Sequence, residues 1–170
     1  MTRMSTHALA AARPVIRGLR LLNLLYALAL LILFGVSLVI EGWPQRPLGF
    51  DLVDAHPRLG EGLRAIVLIA TVGAGIVHAI LRRLLAVVDS VRRGDPFIDA
   101  NARHLDAIAW SVLALEVLRL GIAAIASVVW ESGHVGGFSF TPWLAVLLLF
   151  VLSGVFAHGA RMRADLEGTV

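Results

Sequence analysis

The 170-residue chain contains no cysteine, which excludes disulfide frameworks, thiolate metal sites and thiol nucleophiles. It also contains no lysine, so all 15 of its cationic side chains are arginine, a replacement that codon bias in a GC-rich genome produces without changing function. Acids are scarcer than bases, at 12. A Ser-His-Asp set, a Walker loop, a His-Glu-x-x-His helix and a dinucleotide fingerprint are all missing, so the usual sequence signatures of hydrolases, nucleotide enzymes and zinc proteases are absent. No extended polar or low-complexity stretch divides the chain, and its length suits one domain.

What is abundant is apolar. Hydrophobic residues make up 58% of the chain and the mean hydropathy is +0.83, far above a soluble domain of this size. A helix needs roughly 20 apolar residues to cross the hydrocarbon core of a bilayer. Four segments qualify, at about Leu19 to Ile40, Leu63 to Leu81, Leu105 to Trp130 and Pro142 to Ala160. Each is apolar around most of its circumference and lacks the alternation of a barrel strand. The fold class expected is therefore all-α, a polytopic membrane protein of four transmembrane helices. The first segment reads as a retained anchor, because its apolar stretch is too long for a cleaved signal.

Arginine placement predicts the orientation. Arg3, Arg13, Arg17 and Arg20, then Arg82, Arg83, Arg92, Arg93 and Arg103, then Arg161 and Arg163 all fall on one side of the four spans. The other side carries Arg46, Arg58 and Arg64 against Glu41, Asp51, Asp54, Glu61 and Glu131. Positively charged loops are retained inside, so both termini and the middle loop are expected in the cytoplasm, with the protein multi-pass in a bacterial inner membrane. Trp43, Trp130 and Trp143 fall at the expected outer boundary, where an indole keeps its ring in apolar surroundings and its N–H in water.

The middle loop, RRGDPFIDANARHLDAIAW (Arg92 to Trp110), is the most polar part of the chain. Leu81, Leu84, Leu85, Val88 and Val91 recur at helical spacing, which extends the second helix about three turns past its span. Gly94 then suits the left-handed residue after a helix end, while Asp95 and Pro96 suit the N-cap and first position of the next helix. Asn101 or Ala102, Leu105 and Ile108 continue a face begun by Phe97, and Asp99, Arg103 and Asp106 form a polar row with the spacing of ion pairs. The result expected is a cytoplasmic helical hairpin between helices 2 and 3. Two readings of it stand side by side, a mere connector and a docking surface for a cytoplasmic partner made of Arg93, Gly94, Asp95, Pro96, Phe97, Asp99, Asn101 and Arg103. Direct binding of nucleic acid by Arg92 and Arg93 is the weaker alternative, since topology already accounts for the arginines.

Within the spans, Glu116 and Arg119 lie three residues apart on one face, and charges at that depth are least costly as a pair turned toward protein. Asn23, His78 and His158 read as interhelical packing and hydrogen-bonding residues. Ala70 and Ala74, Gly75 and Ala79, and Ser153 and Ala157 have the four-residue spacing that lets helices approach closely, within the chain or in a homo-oligomer. Outside, Leu48 to Val53 and Gly137 to Phe140 have an alternating look that suits a short β pairing. His56 and His134 with Asp51, Asp54 and Glu131 read as solvated loop residues. No metal, cofactor or catalytic residue is assigned.

The stretch SVRRGDPFIDANARHLDAIAW and the C-terminal HGARMRADLEGTV together resemble the bacterial family DUF2975, small four-helix membrane proteins of unknown function. The matching positions are Gly94, Pro96, Phe97, Asn101, Arg103 and Leu105, and in the tail Arg163, Asp165, Glu167, Thr169 and Val170, with Gly168 where Leu is common. The resemblance covers essentially the whole chain and implies no enzymatic activity. It implies a companion of a small helix-turn-helix regulator, so the partners expected are the lipid bilayer and such a cytoplasmic regulator. A small oligomeric transporter or channel using Glu116 is the alternative.

Overall fold

The computed structural model describes residues 3–40, 43, 59–130 and 139–167, with side chains placed over 11–40, 43, 60–128 and 139–166. They form α1 (Arg3–Val39), α2 (Leu59–Arg92), α3 (Asp99–Trp130) and α4 (Thr141–Glu167). All four are long and apolar enough to cross a membrane, which makes the chain a multi-pass membrane protein. Their outward faces are made of large apolar side chains, among them Leu21, Leu28 and Ile32 on α1 and Leu144, Leu148 and Val155 on α4, each more than half exposed. Water would reject such a surface; lipid tails do not. No strand occurs among the described residues. The pairing expected of Leu48 to Val53 with Gly137 to Phe140 falls almost wholly outside them.

Each helix packs on its chain neighbour, α1 on α2, α2 on α3 and α3 on α4, and among the described residues α1 and α4 make no close backbone approach. Small residues set the spacing where contact is made. Ala74 on α2 and Ala102, Ala109 and Ala160 along the α3–α4 seam are buried, which lets dispersion and backbone-directed hydrogen bonds replace the hydrophobic effect that lipid does not supply. Asn23 Nδ2 donates to the Ala74 carbonyl at 3.0 Å, joining α1 to α2. Ser153 Oγ donates to the Ala102 carbonyl at 3.1 Å, joining α4 to α3. Trp110 and Phe150 meet edge to face with ring centroids 5.3 Å apart. Of the small-residue pairs, Gly75 faces open space, whereas a Cβ on Gly73, which the spacing rule passed over, would stand 3.7 Å from Leu115.

All four helices run past their apolar spans at the same end, the one that carries the arginines. Trp130 and Trp143 stand in the last and first turns of α3 and α4 at the opposite end, and Trp43 lies just beyond α1. At that end Arg64 Nη2 donates to the Ser37 carbonyl at 2.6 Å and ties α2 to α1.

Candidate functional site

The elbow between α2 and α3 is where polar side chains of this protein converge. Helix α2 ends at Arg92, and Gly94 takes a φ of 92°, a conformation a side chain resists. The Gly94 N–H reaches the Val91 carbonyl at 3.1 Å and the Asp95 N–H reaches back to the Ser90 carbonyl at 3.2 Å. These two bonds are the Schellman pair, which satisfies carbonyls that a helix end leaves orphaned.

Helix α3 does not start where the Asp-Pro pair suggests. It begins at Asp99, with the Asn101 N–H on the Ile98 carbonyl at 2.9 Å, so Asp95 and Pro96 belong to an extended link rather than to an N-cap and first turn. The cause is Asn101, whose side chain is 1% exposed. Its Nδ2 donates to the Pro96 carbonyl at 2.8 Å and to Ser90 Oγ at 2.6 Å, taking a carbonyl that a helix would have used internally. The single Ser90 hydroxyl proton has two acceptors in range, the Val87 carbonyl at 2.7 Å and Asn101 Oδ1 at 2.9 Å. Asn101 thus braces the end of α2, the link and the start of α3 together.

The link that Asn101 holds open carries Phe97 onto α4. Its ring lies 5.3 Å from that of Phe156, and a Cβ built on Gly159 would stand 2.7 Å from Phe97 Cδ1, so only glycine there accepts the ring. Beside it Arg163 Nη1 donates to Asp95 Oδ1 at 2.8 Å. On the other flank Arg13 Nε stands 3.1 Å from Asp89 Oδ1. The elbow therefore fastens to α1 through Asp89 and to α4 through Asp95 and Phe97, although α1 and α4 do not pack on each other. A cleft of about 280 Å³ remains between elbow and α4, lined by Asp95, Phe97, Asp99 and Arg163 among others. An apolar groove of about 620 Å³ continues along α4 from Phe97 past Gly154, His158 and Met162.

The outward surface of the elbow is charged. Arg92, Arg93, Asp99, Arg103 and Asp106 are exposed. The row Asp99, Arg103 and Asp106 is not internally paired, for none of the three comes within 4 Å of an opposite charge among the described residues. Of the other polar residues singled out from the sequence, Glu116 is buried and accepts from Arg119 Nε at 2.7 Å. His78 is half-buried on α2 and His158 is exposed on α4. His56, His134, Asp51, Asp54 and Glu131 lie outside the described residues, among which no group of three or more His, Cys, Asp or Glu could hold a metal ion.

Sequence reasoning placed Gly94, Phe97 and Asn101 in one motif but missed what they do together. Ser90 and Gly159 were not recognised as their partners, nor Asp89 and Arg13 as a pair beside them. Asp95 and Arg163 lie 68 residues apart, and no periodicity within a helix reports such a pair. A signal of a kind was present in Ser90 and Asn101, polar residues on otherwise apolar helix faces.

The model for the family described as protein of unknown function (DUF2975) matches residues 41–170, a stretch that takes in α2, α3, α4 and the whole elbow and leaves out α1. No curated protein and no solved structure matches the chain.

Proposed function

The chain belongs to the DUF2975 family, and from that premise we propose that it is a non-enzymatic membrane anchor whose α2–α3 elbow docks a cytoplasmic protein, of the helix-turn-helix regulator class. Both termini and the elbow lie on the cytoplasmic side of a bacterial inner membrane in this reading, as the arginine asymmetry favours. The observation that carries it is the contrast between the two faces of the elbow. Its inner face is braced by Asn101, Ser90, Phe97 and Gly159, whereas its outer face presents Arg92, Arg93, Asp99, Arg103 and Asp106, none of them in an ion pair among the described residues. A rigid, charged projection is preorganised for recognition, because its backbone loses little further freedom on binding. A connector needs no such bracing.

The transporter alternative draws on Glu116, which already holds an ion pair within its own helix. That arrangement favours a structural role over a transport site. The experiment is crosslinking in intact membranes followed by mass spectrometry of the solubilised complexes. Replacing Arg93, Asp99 and Arg103 together by Ala should leave insertion unchanged and remove the regulator from the recovered partners. Unchanged recovery refutes docking at the elbow, and a reporter fused after Trp130 that is active in the cytoplasm refutes the orientation.

A further inference from the structure

A second groove opens at the arginine-rich end between α2 and α3, lined by Ala79, Arg82, Arg83, Ala86 and His104, with a volume of about 330 Å³. Ala79 and Ala86 stand two helical turns apart on α2, and their small side chains leave the space that the two arginines and the histidine surround. Arg83 is half-buried and its Nη1 donates to Ser111 Oγ at 3.1 Å, a neutral acceptor that orients the guanidinium without cancelling its charge. Ser111 in turn donates to the Ala107 carbonyl at 2.6 Å, which fixes it in place. Arg82 is exposed, and among the described residues neither arginine has a carboxylate within 4 Å. Among the described acids on these two helices, Asp89 pairs with Arg13, Glu116 pairs with Arg119, and Asp106 is exposed without lining the groove.

Depth gives this charge a meaning. From Leu63 to Leu81, α2 rises roughly 27 Å at 1.5 Å per residue, close to the hydrocarbon thickness of a bilayer. Arg82 and Arg83 follow that span directly, and on antiparallel α3 His104 directly precedes the span that starts at Leu105. Two helices thus bring three nitrogen-bearing side chains from near the ends of their spans, in the headgroup region, to the lining of one recess. Guanidinium groups bind phosphate oxygens in bidentate fashion, and an imidazole adds one more donor.

We propose that this groove binds the phosphate of an anionic phospholipid, with Arg82 and Arg83 on the phosphate oxygens, His104 as a further donor and the acyl chains remaining in the bilayer beside the apolar spans. Free inorganic phosphate offers the same oxygens without the tails, and the lipid is favoured because the recess lies at the membrane boundary rather than out in solution. A protein docked at the elbow is not required.

The test is native mass spectrometry of the full chain purified in detergent, titrated with phosphatidylglycerol or with phosphatidylcholine of matched acyl chains. Phosphatidylglycerol should be retained more strongly, and Arg82→Gln should weaken it by roughly fivefold, with a similar further loss in Arg82→Gln/Arg83→Gln. Arg82→Gln leaves the Arg83 to Ser111 bond in place, and an unchanged gel-filtration profile certifies the fold. Arg17→Gln/Arg161→Gln removes the same charge from exposed positions elsewhere at that end and should retain the lipid as wild type does. Equal retention of the two lipids, or an equal loss in the Arg17/Arg161 variant, overturns the site. Displacement of phosphatidylglycerol by an equimolar amount of inorganic phosphate overturns the assignment of the ligand to lipid.

Discussion

Replacing Asn101 by Ala should release the elbow while leaving the spans folded. The substitution removes two donated hydrogen bonds, at 2.6 and 2.8 Å, from a side chain that is almost fully buried. Ser90 recovers at once, because its hydroxyl still reaches the Val87 carbonyl at 2.7 Å. Pro96 does not, since among the described residues no other side chain donates to its carbonyl. A net contribution of about 1 kcal/mol for a bond, added to about 1–3 kcal/mol for a part-buried carbonyl left unpaired, gives a cost of roughly 2–4 kcal/mol. Ser90→Ala should cost about 1–3 kcal/mol, because Asn101 keeps Pro96 while its buried amide loses the Ser90 hydroxyl. The double variant should match Asn101→Ala closely, as the two residues share one bond. Amide hydrogen exchange of the protein in nanodiscs reads these energies locally. The amides of Gly94, Asp95 and Asn101, whose acceptors are Val91, Ser90 and Ile98, should exchange faster by between one and three orders of magnitude at 1.4 kcal/mol per decade. Wild-type protection of those three amides in Asn101→Ala would refute the brace, and equal acceleration across the spans would show that elbow and spans open as one unit.

Gly159→Ala should force the Phe97 ring off α4, at an overpacking cost of about 1–3 kcal/mol that outweighs a helix-propensity gain of up to about 1 kcal/mol. Gly154→Ala, which meets nothing within 4 Å, should collect that gain alone; thermal unfolding in detergent ranks the two, and the reverse order would sink the Phe97 contact. Gly94→Val should strain the turn by roughly 1 kcal/mol or more, because its φ of 92° disfavours any side chain. Spin labels on two introduced cysteines, one in the link and one at the end of α4, should report a broadened distance distribution in that variant, against a background with no native thiol. Glu116→Gln combined with Arg119→Met should give a higher folded yield than Arg119→Met alone, since the single change strands a buried carboxylate; equal yields would mean the two residues act separately.

The helices were legible because lipid imposes one rule along their whole length, and long, mostly apolar runs such as that from Leu19 to Ile40 satisfy no other fold. The left-handed Gly94 was legible for a similarly local reason, a helical pattern that stops at a glycine. The start of α3 was not, because a local preference of Asp95 and Pro96 for a helix N-terminus competes with a side chain six residues further on from Asp95, and the Asn101 amide wins the Pro96 carbonyl. The attachment of the elbow was less legible still. Phe97 and Gly159, or Asp95 and Arg163, belong to helical patterns that are each complete without the other, and only the packing of α4 on α3 shows that they meet. The pair Glu116 and Arg119 was readable for the opposite reason, being three residues apart on one helix.

The sequential packing of the helices also sets an order in time. As the ribosome delivers the chain, α2 finds α1 already present, α3 finds α2 and α4 finds α3, so no helix must wait for a partner not yet made. The exception is the elbow, whose second fastening depends on Phe156, Gly159 and Arg163 on α4, the last of the four helices to emerge. Nascent or truncated chains would display the Gly94 turn without its anchorage on α4. The locked elbow is therefore a mark that α4 has been made and packed, and a partner that reads its geometry would leave copies lacking that contact alone.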